Sequence, residues 1–148
     1  MKYQGLQVLL VEDDPDDLEL TLHTLKEARI TNPIAVARDG QEALDYIFCR
    51  GTHADREDVS PRLILLDLKL PKIDGIDVLR AIKAEPHTKS IPVVILTSSI
   101  EERDLIAGHR LGANGYIQKP VDFGQFQKVI REMARYWLVV NQSTSAPT

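Results

Sequence analysis

Leu63-Ile64-Leu65-Leu66-Asp67-Leu68-Lys69-Leu70-Pro71 decides the fold. Its first four residues form an unbroken aliphatic run. A strand covered on both faces reads that way, whereas a strand with one wet face alternates. An acid follows at once, and a proline closes the segment. The same order recurs along the chain. Val8-Leu9-Leu10-Val11 leads into Glu12-Asp13-Asp14, and Val93-Val94-Ile95-Leu96 leads into Thr97-Ser98. Two weaker runs, Ile34-Ala35-Val36-Ala37 and Gly115-Tyr116-Ile117, bring the set to five, and Lys119-Pro120 lies just beyond the last.

Helical spacing fills the gaps between the runs. Leu18, Leu22, Leu25 and Ala28 mark one stripe, Ala43, Leu44 and Ile47 a second, and Val78, Leu79 and Ile82 a third. Leu105, Ile106 and His109 mark a short fourth helix, and Phe123, Phe126, Ile130, Met133 and Trp137 a long fifth. Asp14-Pro15 and Asp39-Gly40 supply acids at helix starts, where the dipole favours them. The alternation predicts an α/β fold: a doubly wound (βα)5 parallel sheet with helices on both faces. Right-handed crossovers then bring the carboxyl ends of all the strands to one edge, where ligands collect in such folds.

Composition narrows the function. The 148 residues are 43% hydrophobic and 27% charged, which suits one ordinary globular domain. A net charge of −4 argues against nucleic acid as the main partner. The one cysteine, Cys49, excludes an internal disulfide and reads as a small apolar filler at a helix end. The four histidines have no ligand spacing and read as structural or surface groups. No signal peptide and no membrane span is legible, so a cytoplasmic protein is expected. Residues 1–140 read as the domain and 141–148 as a polar tail, with no output domain after it.

The rim residues limit the chemistry. Glu12, Asp13 and Asp67 side by side repel one another, and a divalent cation relieves that repulsion. Hard oxygen ligands suit Mg²⁺. A cation, a carboxylate, the amine of Lys119 and the hydroxyl of Thr97 together suit phosphoryl transfer: cation and amine neutralise the moving group while the carboxylate attacks.

These residues resemble the receiver domains of bacterial two-component response regulators. The resemblance rests on Leu10-Val11-Glu12-Asp13-Asp14, Leu65-Leu66-Asp67-Leu68-Lys69-Leu70-Pro71, Asp74-Gly75, Ile95-Leu96-Thr97-Ser98 and Gly115-Tyr116-Ile117-Gln118-Lys119-Pro120. It covers the chain from about Gln7 to about Trp137. It implies a flavodoxin-like sheet in strand order 2-1-3-4-5 and makes Asp67 the phosphoacceptor. Glu12 and Asp13 would hold Mg²⁺, Asp13 directly, with Asp67 and the backbone carbonyl of Lys69 as further ligands. Lys119 would contact the phosphoryl group, Thr97 would turn towards it, and Tyr116 would move inward with Thr97. For Tyr116, plain packing on an edge strand competes with that switch role. The Lys119-Pro120 bond resembles the family's cis peptide. The family implies a phosphoacceptor signalling protein that catalyses its own phosphorylation and hydrolysis rather than an enzyme, with a histidine kinase as partner.

Two further features point to pairing. Trp137-Leu138-Val139-Val140 would form an exposed apolar cluster at the end of the fifth helix, which predicts a homodimer through that helix. The long polar connection from Cys49 to Arg62, the Leu65–Gly75 stretch and Trp137-Leu138 resemble the stand-alone regulators paired with bacterial phytochromes, which implies a phytochrome kinase. Three other functions compete. A hydrolase with an aspartyl-phosphate intermediate would need a second acid where Lys69 stands. A flavodoxin-like flavin binder would need a hydroxyl-rich phosphate loop where Glu12-Asp13-Asp14-Pro15-Asp16-Asp17 stands. A receiver-like interaction module that acts without phosphorylation would look the same at the rim.

Overall fold

Strands form where the five aliphatic runs lie: β1 (Val8–Val11), β2 (Ile34–Ala37), β3 (Leu63–Leu66), β4 (Val93–Thr97) and β5 (Gly115–Gln118). A computed structural model describes residues 7–30, 32–56, 60–97, 102–119 and 123–140; for 102–106, 123 and 138–140 the backbone alone is described. The strands pair in parallel in the order β2-β1-β3-β4-β5, as the sequence reading expected. Val8 lies opposite Leu63 and Val11 opposite Leu66, so β1 and β3 end level. Glu12 and Asp67 therefore leave the sheet side by side.

Alternation along each strand divides the core into two layers. Leu9, Val11, Ile64, Leu66, Val93 and Ile95 face α2 (Gly40–Ile47) and α3 (Gly75–Ala84), whose Ala43, Leu44, Ile47, Val78, Leu79 and Ile82 cover them. Val8, Leu10, Leu63, Leu65, Val94 and Leu96 face α1 (Pro15–Glu27) and α5 (Phe123–Ala134), through Leu25, Phe126, Ile130 and Ala134. The remaining helix, α4 (Glu102–Leu111), packs beside α3. The caps are those expected. Asp14 accepts from the backbone N–H of Asp16 and Asp17, and Asp39 accepts from that of Glu42 at 2.7 Å.

Several side chains lie elsewhere than their spacing suggested. On α1 the buried face runs through Thr21, Thr24 and Leu25, while Leu18 and Leu22 are half-buried. Both threonines can be buried because each hydroxyl donates to the carbonyl four residues earlier, of Asp17 and Leu20. Among the α4 residues whose side chains are described, His109 is exposed and Gly108 is buried; Leu105 and Ile106 lie outside them. Trp137 is not left outside. It sits one turn beyond Met133 on the stripe that α5 lays on the sheet and packs on the core, while Tyr136 is the exposed aromatic, 53% accessible. A π-helical stretch, Arg135–Val140, carries both.

The long connection after α2 is built against that helix. Cys49 is half-buried and takes a left-handed φ of 55°. It stops α2 as a glycine usually does, with Cys49 N–H bonded to the Tyr46 carbonyl and Arg50 N–H to that of Asp45. Arg56 then folds back. Its Nε donates to the Tyr46 carbonyl at 2.8 Å, and its guanidinium lies 4.2 Å from the Tyr46 ring centre. The side chains of Leu138, Val139 and Val140, the Lys119-Pro120 bond, Ser98 and the 141–148 tail lie outside what the structure describes.

Gly75 fixes the rim to α3. A Cβ there would overlap the Asp67 carbonyl and the backbone of Leu68. Gly75→Ala is therefore expected to lower stability by roughly 1–3 kcal/mol, the usual cost of overpacking. Urea denaturation followed by circular dichroism measures it, and an unchanged midpoint would refute the close packing.

Candidate functional site

Four chain segments meet at one ammonium. Lys119 follows β5 and is tied to the end of β4, its N–H donating to the Thr97 carbonyl at 2.9 Å. Its Nζ lies 2.5 Å from Glu12 Oε1, 2.9 Å from Asp67 Oδ2 and 3.0 Å from Asp17 Oδ2. The lysine side chain is 9% exposed, Glu12 is fully buried and Asp17 is one-third exposed. Asp67 is buried, and its other oxygen, Oδ1, accepts from the Lys69 N–H at 3.1 Å. Glu12 is steadied from behind, where its Oε2 accepts from the Asp14 N–H at 3.3 Å.

The site thus gathers Glu12, Asp13, Asp67 and Lys119, as the sequence predicted, and adds Asp17, which it did not. Asp17 occupies the third position of α1, in line with buried Thr21 and Thr24 one and two turns on. That face turns Asp17 towards the strand ends. The signal was present in the spacing of 17, 21 and 24, but an acid in the first turn of a helix reads equally well as a solvated partner of the helix dipole. Thr97 is buried at the end of β4. By strand alternation it shares a sheet face with Ile95, and Ile95 pairs with Tyr116. The Tyr116 phenol reaches α4 and rests over Gly108, where a Cβ would collide with the hydroxyl. Burial pushes the phenol pKa up. The Lys69 side chain is exposed.

Charge at this rim is strongly constrained. Burial, with the neighbouring Asp67 adding to it, raises the Glu12 carboxyl from 4.5 to about 8, despite the opposing pull of Lys119. Burial alone would lower the Lys119 ammonium, but Glu12 and Asp67 outweigh it and hold its pKa above the ordinary lysine value. One oxygen from each of Glu12, Asp13 and Asp67 lies within 4.8 Å of the others. An all-carboxylate set of this kind, with one member held reluctant to ionise, fits a hard divalent cation such as Mg²⁺ or Mn²⁺.

Comparison with known proteins agrees with this geometry. A sequence profile described as "Response regulator receiver domain" matches residues 8–131. Response regulator Rcp1 of Synechocystis sp. is 39% identical over 131 residues, 88% of either chain. The probable methanogenesis regulatory protein FilR2 of Methanothrix harundinacea is 38% identical over 136 residues, 92% of this chain and 86% of that one. Among solved structures, the Mn²⁺-bound form of Rcp1 superposes with a TM-score of 0.85 at 36% identity, covering 97% of this chain and 99% of that one. The phosphorylated cyanobacterial phytochrome response regulator RcpA gives 0.84 at 37% identity, covering 91% and 95%. The bacteriophytochrome response regulator AtBRR gives 0.75 at 48% identity, covering 92% and 97%.

The raised Glu12 pKa has a definite sign. Folding favours its protonated form, so that contribution to stability is complete below pH 4.5 and is lost as pH rises through about 8. Lys119 keeps its proton throughout this window. A divalent cation that binds the ionised carboxylates competes with the Glu12 proton. The gain in melting temperature from millimolar MgCl₂, relative to EDTA, is expected to be larger at pH 8 than at pH 6; an equal gain at both would contradict the assignment.

Proposed function

The chain belongs to the response regulator receiver family, and on that basis we propose that Asp67 accepts a phosphoryl group from the phosphohistidine of a histidine kinase. The observation that carries this reading is the buried Asp67 carboxylate beside Glu12 and Asp13, with the Lys119 ammonium 2.9 Å from its Oδ2. Receivers are signalling proteins rather than classical enzymes, and the chemistry is a single transfer. An Asp67 oxygen attacks phosphorus, the P–N bond breaks, and its electron pair leaves with the imidazole, which takes a proton. Lys119 compensates the charge on the phosphoryl oxygens. Mg²⁺, held by Glu12, Asp13, Asp67 and the backbone carbonyl of Lys69, would add positive charge at the same place. Water later attacks the acyl phosphate and returns Asp67 to the carboxylate.

The phosphoryl group must be read by something that moves. Thr97, at the end of β4, donates to it in this reading, and Tyr116 on the paired strand follows. The phenol already leans on Gly108, so its position and that of α4 are mechanically linked. Phosphate shifts this pair only as far as it binds one arrangement better than the other.

The kinase we propose is a phytochrome. The support is the likeness to Rcp1, RcpA and AtBRR, two of them described as phytochrome or bacteriophytochrome regulators. Residues 1–140 form the receiver and 141–148 the polar tail, in the cytoplasm; among the described residues no helix is long and apolar enough to cross a membrane. The surface favoured for a homodimer is the end of α5, where Tyr136 is exposed beside Trp137.

Intact mass after incubation with acetyl phosphate tests the transfer. One added phosphoryl group is expected, requiring Mg²⁺ and lost in Asp67→Asn. If neither acetyl phosphate nor a phytochrome kinase adds mass, the protein acts as an interaction module without phosphorylation. Light scattering after size exclusion tests the pairing. The wild type is expected at twice the chain mass and Tyr136→Glu at the chain mass; a wild-type monomer with and without phosphate would remove the dimer.

A further inference from the structure

Three carboxylate oxygens crowd the Lys119 ammonium: Nζ donates to Asp67 Oδ2 and Asp17 Oδ2 and lies in ion-pair contact with Glu12 Oε1. A phosphoryl oxygen arriving beside Asp67 must therefore displace one acceptor. The three are not equally replaceable. Glu12 is fully buried, and stripping the ammonium from it would leave a buried carboxyl oxygen without its polar contact. Asp67 is the host of the phosphoryl group. Both belong to the carboxylate set whose oxygens lie within 4.8 Å, and Asp17 does not. Asp17 alone comes from a helix, is one-third exposed, and can exchange the ammonium for water at small cost.

Resting on the phosphoacceptor reading, we infer that Asp17 is a displaceable stand-in for a phosphoryl oxygen: it occupies the Lys119 N–H that the phosphoryl group takes when Asp67 is phosphorylated. In the resting protein it keeps the ammonium aimed at the rim. On phosphorylation it gives up that contact and turns to solvent. Asp17 is thus a positioning residue, and its carboxylate opposes phosphoryl binding twice, by holding the donor and by repelling the incoming anion. The alternative role, a fixed anchor that holds Lys119 in place for the phosphoryl group, has the opposite consequence.

Beryllofluoride, a noncovalent phosphoryl mimic, separates the two. Its affinity for the full chain is read by ¹⁹F NMR titration at saturating Mg²⁺. Asp17→Asn is expected to bind it more tightly, by roughly two- to fivefold, the scale for losing one partly exposed charge pair. Asp17→Glu keeps the charge and should return affinity towards wild type. Asp16→Asn removes the same charge from an exposed neighbour and should leave affinity near wild type. Mere damage to α1 weakens binding, so a gain is not a structural artefact; Asp17→Ser serves if the asparagine variant folds poorly. Equal or weaker binding by Asp17→Asn, or equal tightening by Asp16→Asn, overturns the inference while leaving the phosphoacceptor reading intact. No binding by the wild type overturns that reading, and this inference with it.

Discussion

The Lys119 ammonium, set among the carboxylates of Glu12, Asp17 and Asp67, is the contact on which the rim depends. Sheet register sets the acids that follow β1 and β3 side by side, and the ammonium offsets their mutual repulsion. It also explains why a buried, charged cluster is tolerated at all. Taking these groups from water is costly, and only close, multiple pairing offsets that cost. Burial still raises the Glu12 pKa, with Asp67 adding to it. A site in this condition is receptive to a divalent cation.

The two core layers divide the labour around this contact. The α1 and α5 side is sealed by Leu25, Phe126, Ile130 and Ala134. The other side carries Thr97, Tyr116 and Gly108, and there a side chain on an edge strand meets a helix across a glycine instead of a close-packed residue. Close-packed interiors shift between discrete arrangements rather than deforming gradually.

Much of this was legible in the residues. Continuous aliphatic runs fixed the strands because a doubly covered strand has no polar alternation to blur its ends. Glu12, Asp13, Asp67 and Lys119 were legible because each lies within two residues of the end of its run, and parallel strands place such residues on one edge. Asp17 was not, since a helix position is read by its face, and an acid in the first turn of α1 reads equally well as a solvated partner of the helix dipole. Buried Thr21 and Thr24 look polar in sequence, yet each hydroxyl is satisfied within its own helix. Trp137 was misjudged for a related reason: the helical stripe continues past the last residues that spacing alone could place on the sheet. The ordered start of the connection after α2 was hidden because it depends on Arg56 finding Tyr46, a contact ten residues apart in sequence and unmarked by periodicity.

The level ends of β1 and β3 place an uneven burden on the gene. Side chains alternate along a strand, so one inserted or deleted residue within Val8–Val11 or Leu63–Leu66 would turn every later side chain over and carry Glu12 or Asp67 out of register with Lys119. Length in these two segments is under the strictest reading frame in the molecule. The connection from Cys49 to Arg62 has no such frame, since it leaves α2 at the end of the sheet remote from the rim. Divergence by insertion is expected to accumulate there, and drift in these strands to proceed by substitution alone.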